Sequence, residues 1–136
     1  MLLASLLLLA AQPAERCAIS VVARADSSFA QAGYDASPER LAHLAAQTRD
    51  RFRAAALRLC RAGVLRSSDL ARFGEMVVQN GEGATEPVLY REPGMKPRSF
   101  IFQYAFQDGG PPEAAAFEQA LLCWKRPRSA DCDLGD

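Results

Sequence analysis

Apolar residues follow three kinds of pattern along this chain, and their order predicts most of the fold. Residues Met1 to Ala11 form an uninterrupted uncharged run rich in leucine. Between Leu41 and Ala62 apolar residues recur at helical spacing. From Ser99 to Gln107 they alternate one by one, as on a pleated strand.

The helical stretch is the strongest of these signals. At about 100° per residue, Leu41, Leu44, Ala45, Thr48, Phe52, Ala55, Ala56, Leu59 and Ala62 fall within about 60° of one line. Ser37-Pro38-Glu39 is a helix start: a capping hydroxyl, a proline whose φ suits the first turn, and an acid at the positive helix end. Gly63 supplies the stop. Cys60 lies on the shoulder of the stripe, and His43 points away from it.

Strands are expected on both sides of this helix. Ala18 to Ala25 carries β-branched residues, and the polar stretch from Asp26 to Ser37 reads as loop. After a short helical turn near Ser68 to Phe73, Met76-Val77-Val78-Gln79 leads into Asn80-Gly81, and Pro87 to Arg91 follows. That order predicts a hairpin with a long connection. In the alternating segment Phe100, Phe102, Tyr104 and Phe106 share one face, which predicts a central core strand. Pro112-Glu113 opens a last helix, with Phe117, Ala120, Leu121 and Trp124 on its apolar side. The predicted fold is α+β: an antiparallel sheet of three to four strands, with a long N-terminal helix and a shorter C-terminal helix packed on one face.

The N-terminal run is too short to span a bilayer, which takes about 20 residues as a helix, but it fits the hydrophobic core of a signal peptide. Residues 1–14 are expected to be a leader cleaved after Ala11 or Ala14, and 15–136 a single domain. Any membrane association would then come only from an uncleaved leader. The sixteen basic and sixteen acidic residues cancel, which removes a global field toward nucleic acid. Alanine and arginine are favoured over lysine, a bias common in GC-rich bacterial genomes, so the expected destination is secretion, to the periplasm.

Cys17, Cys60, Cys123 and Cys132 are an even set in a chain expected to leave the cytosol, where thiols pair. Four cysteines allow three connectivities. Cys123 with Cys132 is favoured because the tail can fold back beyond a helix end, leaving Cys17 with Cys60. Metal binding is not expected, since the nearest cysteine pair is nine apart and the single histidine is distant. No cofactor is expected either: no glycine cluster matches a nucleotide fingerprint.

Catalytic constellations are scarce. His43 stands alone, so no Ser-His-Asp set can be assembled, and only carboxylates such as Glu75 or Glu86 near the hairpin offer acid–base chemistry. Seven arginines between Glu39 and Arg66 are explained by long stems covering the edges of the apolar stripe. Two segments remain as candidate contact surfaces. One is the loop closed by Cys123 and Cys132, which presents Trp124, Lys125, Arg126 and Arg128. The other is the connector with Arg91, Met95, Lys96 and Arg98.

These features predict a small non-catalytic binding module, such as an inhibitor, an immunity-type protein or an envelope accessory factor, with a macromolecular envelope or extracellular partner. The alternatives are a small carboxylate-dependent hydrolase and a self-associating structural or stress protein of the envelope.

Overall fold

The computed structural model describes residues 16–33, 35–106 and 110–132. The expected leader, residues 1–14, lies outside them. The elements are β1 (Val22–Ala25), α1 (Ser28–Gln31), α2 (Pro38–Arg61), α3 (Ser67–Leu70), β2 (Glu75–Asn80), β3 (Val88–Tyr90), β4 (Ser99–Tyr104), α4 (Ala114–Lys125) and a 3-10 turn at Ala130–Cys132.

The long helix forms where its sequence pattern places it. Ser37 Oγ accepts the Arg40 N–H and Pro38 occupies the first turn. At the other end Gly63, at φ 80°, lets Val64 N–H reach Leu59 O (2.9 Å) while Gly63 N–H reaches Cys60 O (3.0 Å). Leu44, Ala45, Thr48, Phe52, Ala55, Ala56, Leu59 and Cys60 are the buried residues of this helix.

The fold class is α+β, with a four-stranded sheet among the described residues in the order β1-β2-β4-β3. The all-antiparallel pairing is corrected: β1 with β2 and β2 with β4 are parallel, and only β3 with β4 is antiparallel. The first parallel pair follows from α2, because a strand that returns through a long helix on one sheet face re-enters in the same direction.

The hairpin is also displaced by one strand. β2 and β3 do not pair; β4 lies between them, and the hairpin is β3–β4, closed by the connector from Arg91 to Arg98. Asn80-Gly81 therefore ends β2 without making a two-strand turn. Gly81 N–H donates to Tyr104 O at 3.1 Å, and a Cβ at this position would lie 2.6 Å from the Gln103 side chain. Burial decides the order: β4, with Phe100, Ile101 and Phe102 all buried, gains most from the central place, while the three-residue β3 takes the edge.

One face of the sheet carries Met76, Val78, Phe100 and Phe102, and both main helices cover it. Phe52 of α2 packs on Phe100 with ring centroids 5.3 Å apart, and Phe117 of α4 stacks on Phe102 at 4.9 Å. Phe73, just after α3, completes a three-ring cluster with Phe52 (5.2 Å) and Phe100 (4.9 Å). The predicted loop from Asp26 also contributes: α1 buries Phe29 completely, against Phe106 at 5.2 Å. Phe29 stands among small and polar residues that show no helical or strand period, which is why the pattern predicts a loop there.

On the opposite face, Gln79 Oε1 accepts from Tyr90 OH (2.9 Å) and from Gln103 Nε2 (2.7 Å), while Gln79 Nε2 donates to Asp26 Oδ2 (3.1 Å). Val77 and Ile101, whose positions place them on this face, are nevertheless buried.

The arginines of α2 act as ties. Arg51 Nη1 donates to Pro112 O (2.8 Å) and Pro111 O (3.2 Å), Arg53 Nε donates to Ile19 O (3.2 Å), and Arg58 pairs with Glu118 of α4. They hold the approach to α4 and the segment before β1 against the long helix.

Candidate functional site

All four cysteines are paired, Cys17 with Cys60 and Cys123 with Cys132, with Cα–Cα distances of 5.8 and 5.2 Å. The first bridge ties the segment before β1 to the end of α2. The second closes the last turn of α4 onto the 3-10 turn at the tail.

Closing that tail does not leave its cations equivalent. Lys125 Nζ contacts both carboxylate oxygens of Asp69 at 2.8 Å, and Asp69 Oδ2 also accepts the Arg66 N–H at 2.8 Å. Asp69 is only 7% exposed. Burial pushes its carboxyl up, but the Lys125 hydrogen bond, the Arg66 N–H and the charges of Lys125 and Arg72 outweigh it and hold the group below its ordinary value. Lys125 thus ties α4 to α3. Arg126 and Arg128 are exposed beyond the helix.

Trp124 turns the other way. Its ring lies 4.6 Å from Phe73, and the Arg72 guanidinium carbon sits 5.1 Å from the ring centroid. This contact brings the tail to the β3–β4 connector, the second candidate segment. Together they line a groove of about 510 Å3 bordered by Ala71, Arg72, Phe73, Leu89, Tyr90, Arg91, Pro97, Arg98, Phe100 and Trp124. Three arginines and no carboxylate are among its lining residues.

The three arginines are held differently. Arg91 is engaged with its own turn, donating to Ser99 O, to Lys96 O (3.3 Å) and to Met95 O (3.4 Å). Arg98 donates only its Nε, to Ala71 O at 2.9 Å, and its stem lies across Gly74, where a Cβ would meet the Arg98 Cβ at 3.0 Å. Arg72 has its ring contact with Trp124 and no ion pair with a described carboxylate.

Arg98 is also the one described non-glycine residue at positive φ, 67°. A side chain in the left-handed region costs roughly 1–2 kcal/mol, which glycine would avoid. Its carbonyl holds the conformation in place by accepting from Gly74 N–H (2.8 Å) and Glu75 N–H (3.0 Å). A strained residue that places a guanidinium on a groove is the kind of outlier from which a functional hypothesis starts.

Of the predicted contact residues, the groove therefore unites Trp124, Arg91 and Arg98. Lys125, Arg126, Arg128, Met95 and Lys96 are not in its lining. Met95 is half-buried rather than presented at the turn tip, and its sulfur accepts the Glu92 N–H at 3.3 Å. Arg72 was invisible to sequence reading: it follows a four-residue helical turn, and only the packing of Phe73 under Trp124 brings it into place.

The carboxylates considered for hydrolysis lie apart. Glu75 pairs with Arg24 at 3.5 Å with both side chains well exposed, while Glu86 borders a separate 100 Å3 pocket beside Pro87, Gln119 and Cys123. His43 is exposed, in a shallow hollow with Asp35, Glu39 and Arg40 at the start of α2. Among the described residues there is no group of three His, Cys, Asp or Glu side chains placed to hold a metal, and no helix long and apolar enough to cross a membrane.

Comparison of the chain with protein-family models, with curated proteins and with solved structures finds no match.

Proposed function

We propose that this protein is a non-catalytic binding module of an oxidising compartment, secreted or periplasmic, which engages a macromolecular partner through the groove between Trp124 and the β3–β4 turn. The observation that carries the reading is the convergence of Trp124, Arg72 and Arg98 on one groove with no carboxylate among its lining residues. Guanidinium forks and an aromatic ring are the side chains that most often dominate the energy of protein contacts. A volume of about 510 Å3 is that of a site taking a short segment of a partner rather than a broad flat face.

The bridges support the choice of compartment. Disulfides form and persist most readily where thiols are not kept reduced, and a domain of this size gains from cross-links. Scaffold and surface are then separate parts: the Cys17–Cys60 bridge holds the frame, while the Cys123–Cys132 bridge and the Asp69–Lys125 pair set the tail beside the groove that presents the contact.

The test uses an Arg72→Ala/Arg98→Gly double variant. A partner recovered from envelope or culture extract is identified, purified and rebound to both proteins. The reading expects at least tenfold weaker rebinding by the variant with an unchanged unfolding transition. Equal affinity for the two proteins overturns it.

A further inference from the structure

The chemistry of the groove also limits what occupies it. Its floor is apolar, formed by Phe73, Leu89 and Phe100, with Trp124 as one wall. Its charge is local: the whole chain sums to zero, Lys125 is neutralised by Asp69, and Arg126 and Arg128 are not in the lining. A polyanion read along its backbone needs a continuous basic track, which these three arginines do not make.

Two of the three are equipped to grip an acid. Arg98 uses its Nε on Ala71 O and has no bond from its terminal nitrogens to a described residue. Arg72 has its guanidinium over the Trp124 ring, a contact to the π face that leaves its N–H edge available. A guanidinium edge matches a carboxylate in a two-bond fork. A free anion alone would satisfy these forks and leave Leu89 and the Trp124 ring, both only partly buried over Phe73 and Phe100, uncovered, whereas an apolar side chain flanked by acids satisfies both.

Resting on the binding-module reading, we infer that the groove receives an acidic peptide segment of a protein partner, with carboxylates on Arg72 and Arg98 and an apolar side chain between them on the floor of Phe73, Leu89 and Phe100. Arg91, engaged with the carbonyls of its own turn, contributes charge and shape but not a fork.

Trp124 is the single tryptophan of the chain, so its emission reports the groove directly. The experiment titrates the intact disulfide-bonded protein with acetylated, amidated pentapeptides: Asp-Asp-Leu-Asp-Asp and Asp-Asp-Phe-Asp-Asp, the same frame with a central Ser, Lys-Lys-Phe-Lys-Lys, and inorganic tripolyphosphate. Amide shifts of Ala71, Leu89 and Arg98 give a second readout that does not depend on the tryptophan. Saturable binding of the Leu or Phe acidic peptides is expected, weakened at least tenfold by a central Ser and abolished for the lysine peptide.

Arg98→Gly relieves the left-handed backbone while removing the guanidinium, and Arg72→Ala removes an exposed side chain. Each should weaken the acidic peptides at least tenfold while leaving the thermal midpoint within a few degrees. Equal binding of the Ser peptide or of tripolyphosphate, lost in the same variants, overturns the peptide assignment and leaves the groove as an anion site within the module reading. No saturable response to any probe also overturns it. If the rebinding of the purified partner is then unaffected by the double variant, the module reading falls with it.

Discussion

The two disulfides close regions of opposite character. Cys17–Cys60 spans 43 residues and fastens the segment before β1 to a helix end that is deep in the core, with Cys60 only 5% exposed. Cys123–Cys132 spans nine residues, and both of its cysteines remain partly accessible. The first acts on the whole domain by shortening the unfolded chain. The second acts on one edge, where it holds the tail beside Trp124 and Lys125. The contrast teaches that equal covalent bonds in one small protein can serve different ends, one supporting the core and one arranging a surface.

Removing the bridges one at a time is the sharpest way to break that contrast. Loss of the long bridge in a Cys17→Ser/Cys60→Ser variant should cost about 4 kcal/mol on the chain-entropy estimate, read by chemical denaturation. Loss of the short bridge in Cys123→Ser/Cys132→Ser should cost about 2.5 kcal/mol on the same estimate. The short-bridge variant should also weaken partner binding, since it releases the residues behind Trp124. A variant pair that lost stability equally would refute the division into core support and surface arrangement.

Next in size is the tie behind the groove. Lys125→Met leaves Asp69 buried without its cation, and because the Lys125 side chain is about one-third exposed the cost should be about 2 kcal/mol, below that of a fully buried pair. The pH profile gives an independent readout. The native Asp69 carboxyl lies below its ordinary value of 3.8, so it adds stability that is present above that value and disappears as pH falls through the lower native one. Lys125→Met should flatten this acid limb, which is read by following the unfolding midpoint as pH falls through the acid range.

The smallest effect on stability is expected at the groove itself. Arg72→Ala loses the contact with the exposed side of the Trp124 ring and a charge that acts on Asp69 through space, so its change should stay within about 1 kcal/mol in thermal unfolding. A large loss there would mean that the arginine belongs to the frame and not to the contact surface.

Much of the frame is legible in the sequence. The α2 stripe, its Ser37 start and its Gly63 stop are encoded within one or two turns of chain, where period and capping chemistry suffice. The aromatic alternation around Phe100 and Phe102 marked the central strand for the same reason. The candidate site was only half legible. Trp124, Arg91 and Arg98 stood out as unusual surface residues, but their meeting depends on β3 crossing to the far edge of β4, and Arg72 joins them through the tilted ring contact of its neighbour Phe73 with Trp124.

By itself, then, the order of residues determined the two main helices, the strand identities and the even set of cysteines, because each rests on neighbours a few positions apart. Tertiary structure alone decided that β2 and β4 run parallel, that Lys125 turns inward to Asp69, and that three arginines surround one apolar hollow. Those outcomes depend on which distant surfaces bury the most apolar area against one another, and that competition is settled only when the whole chain packs at once.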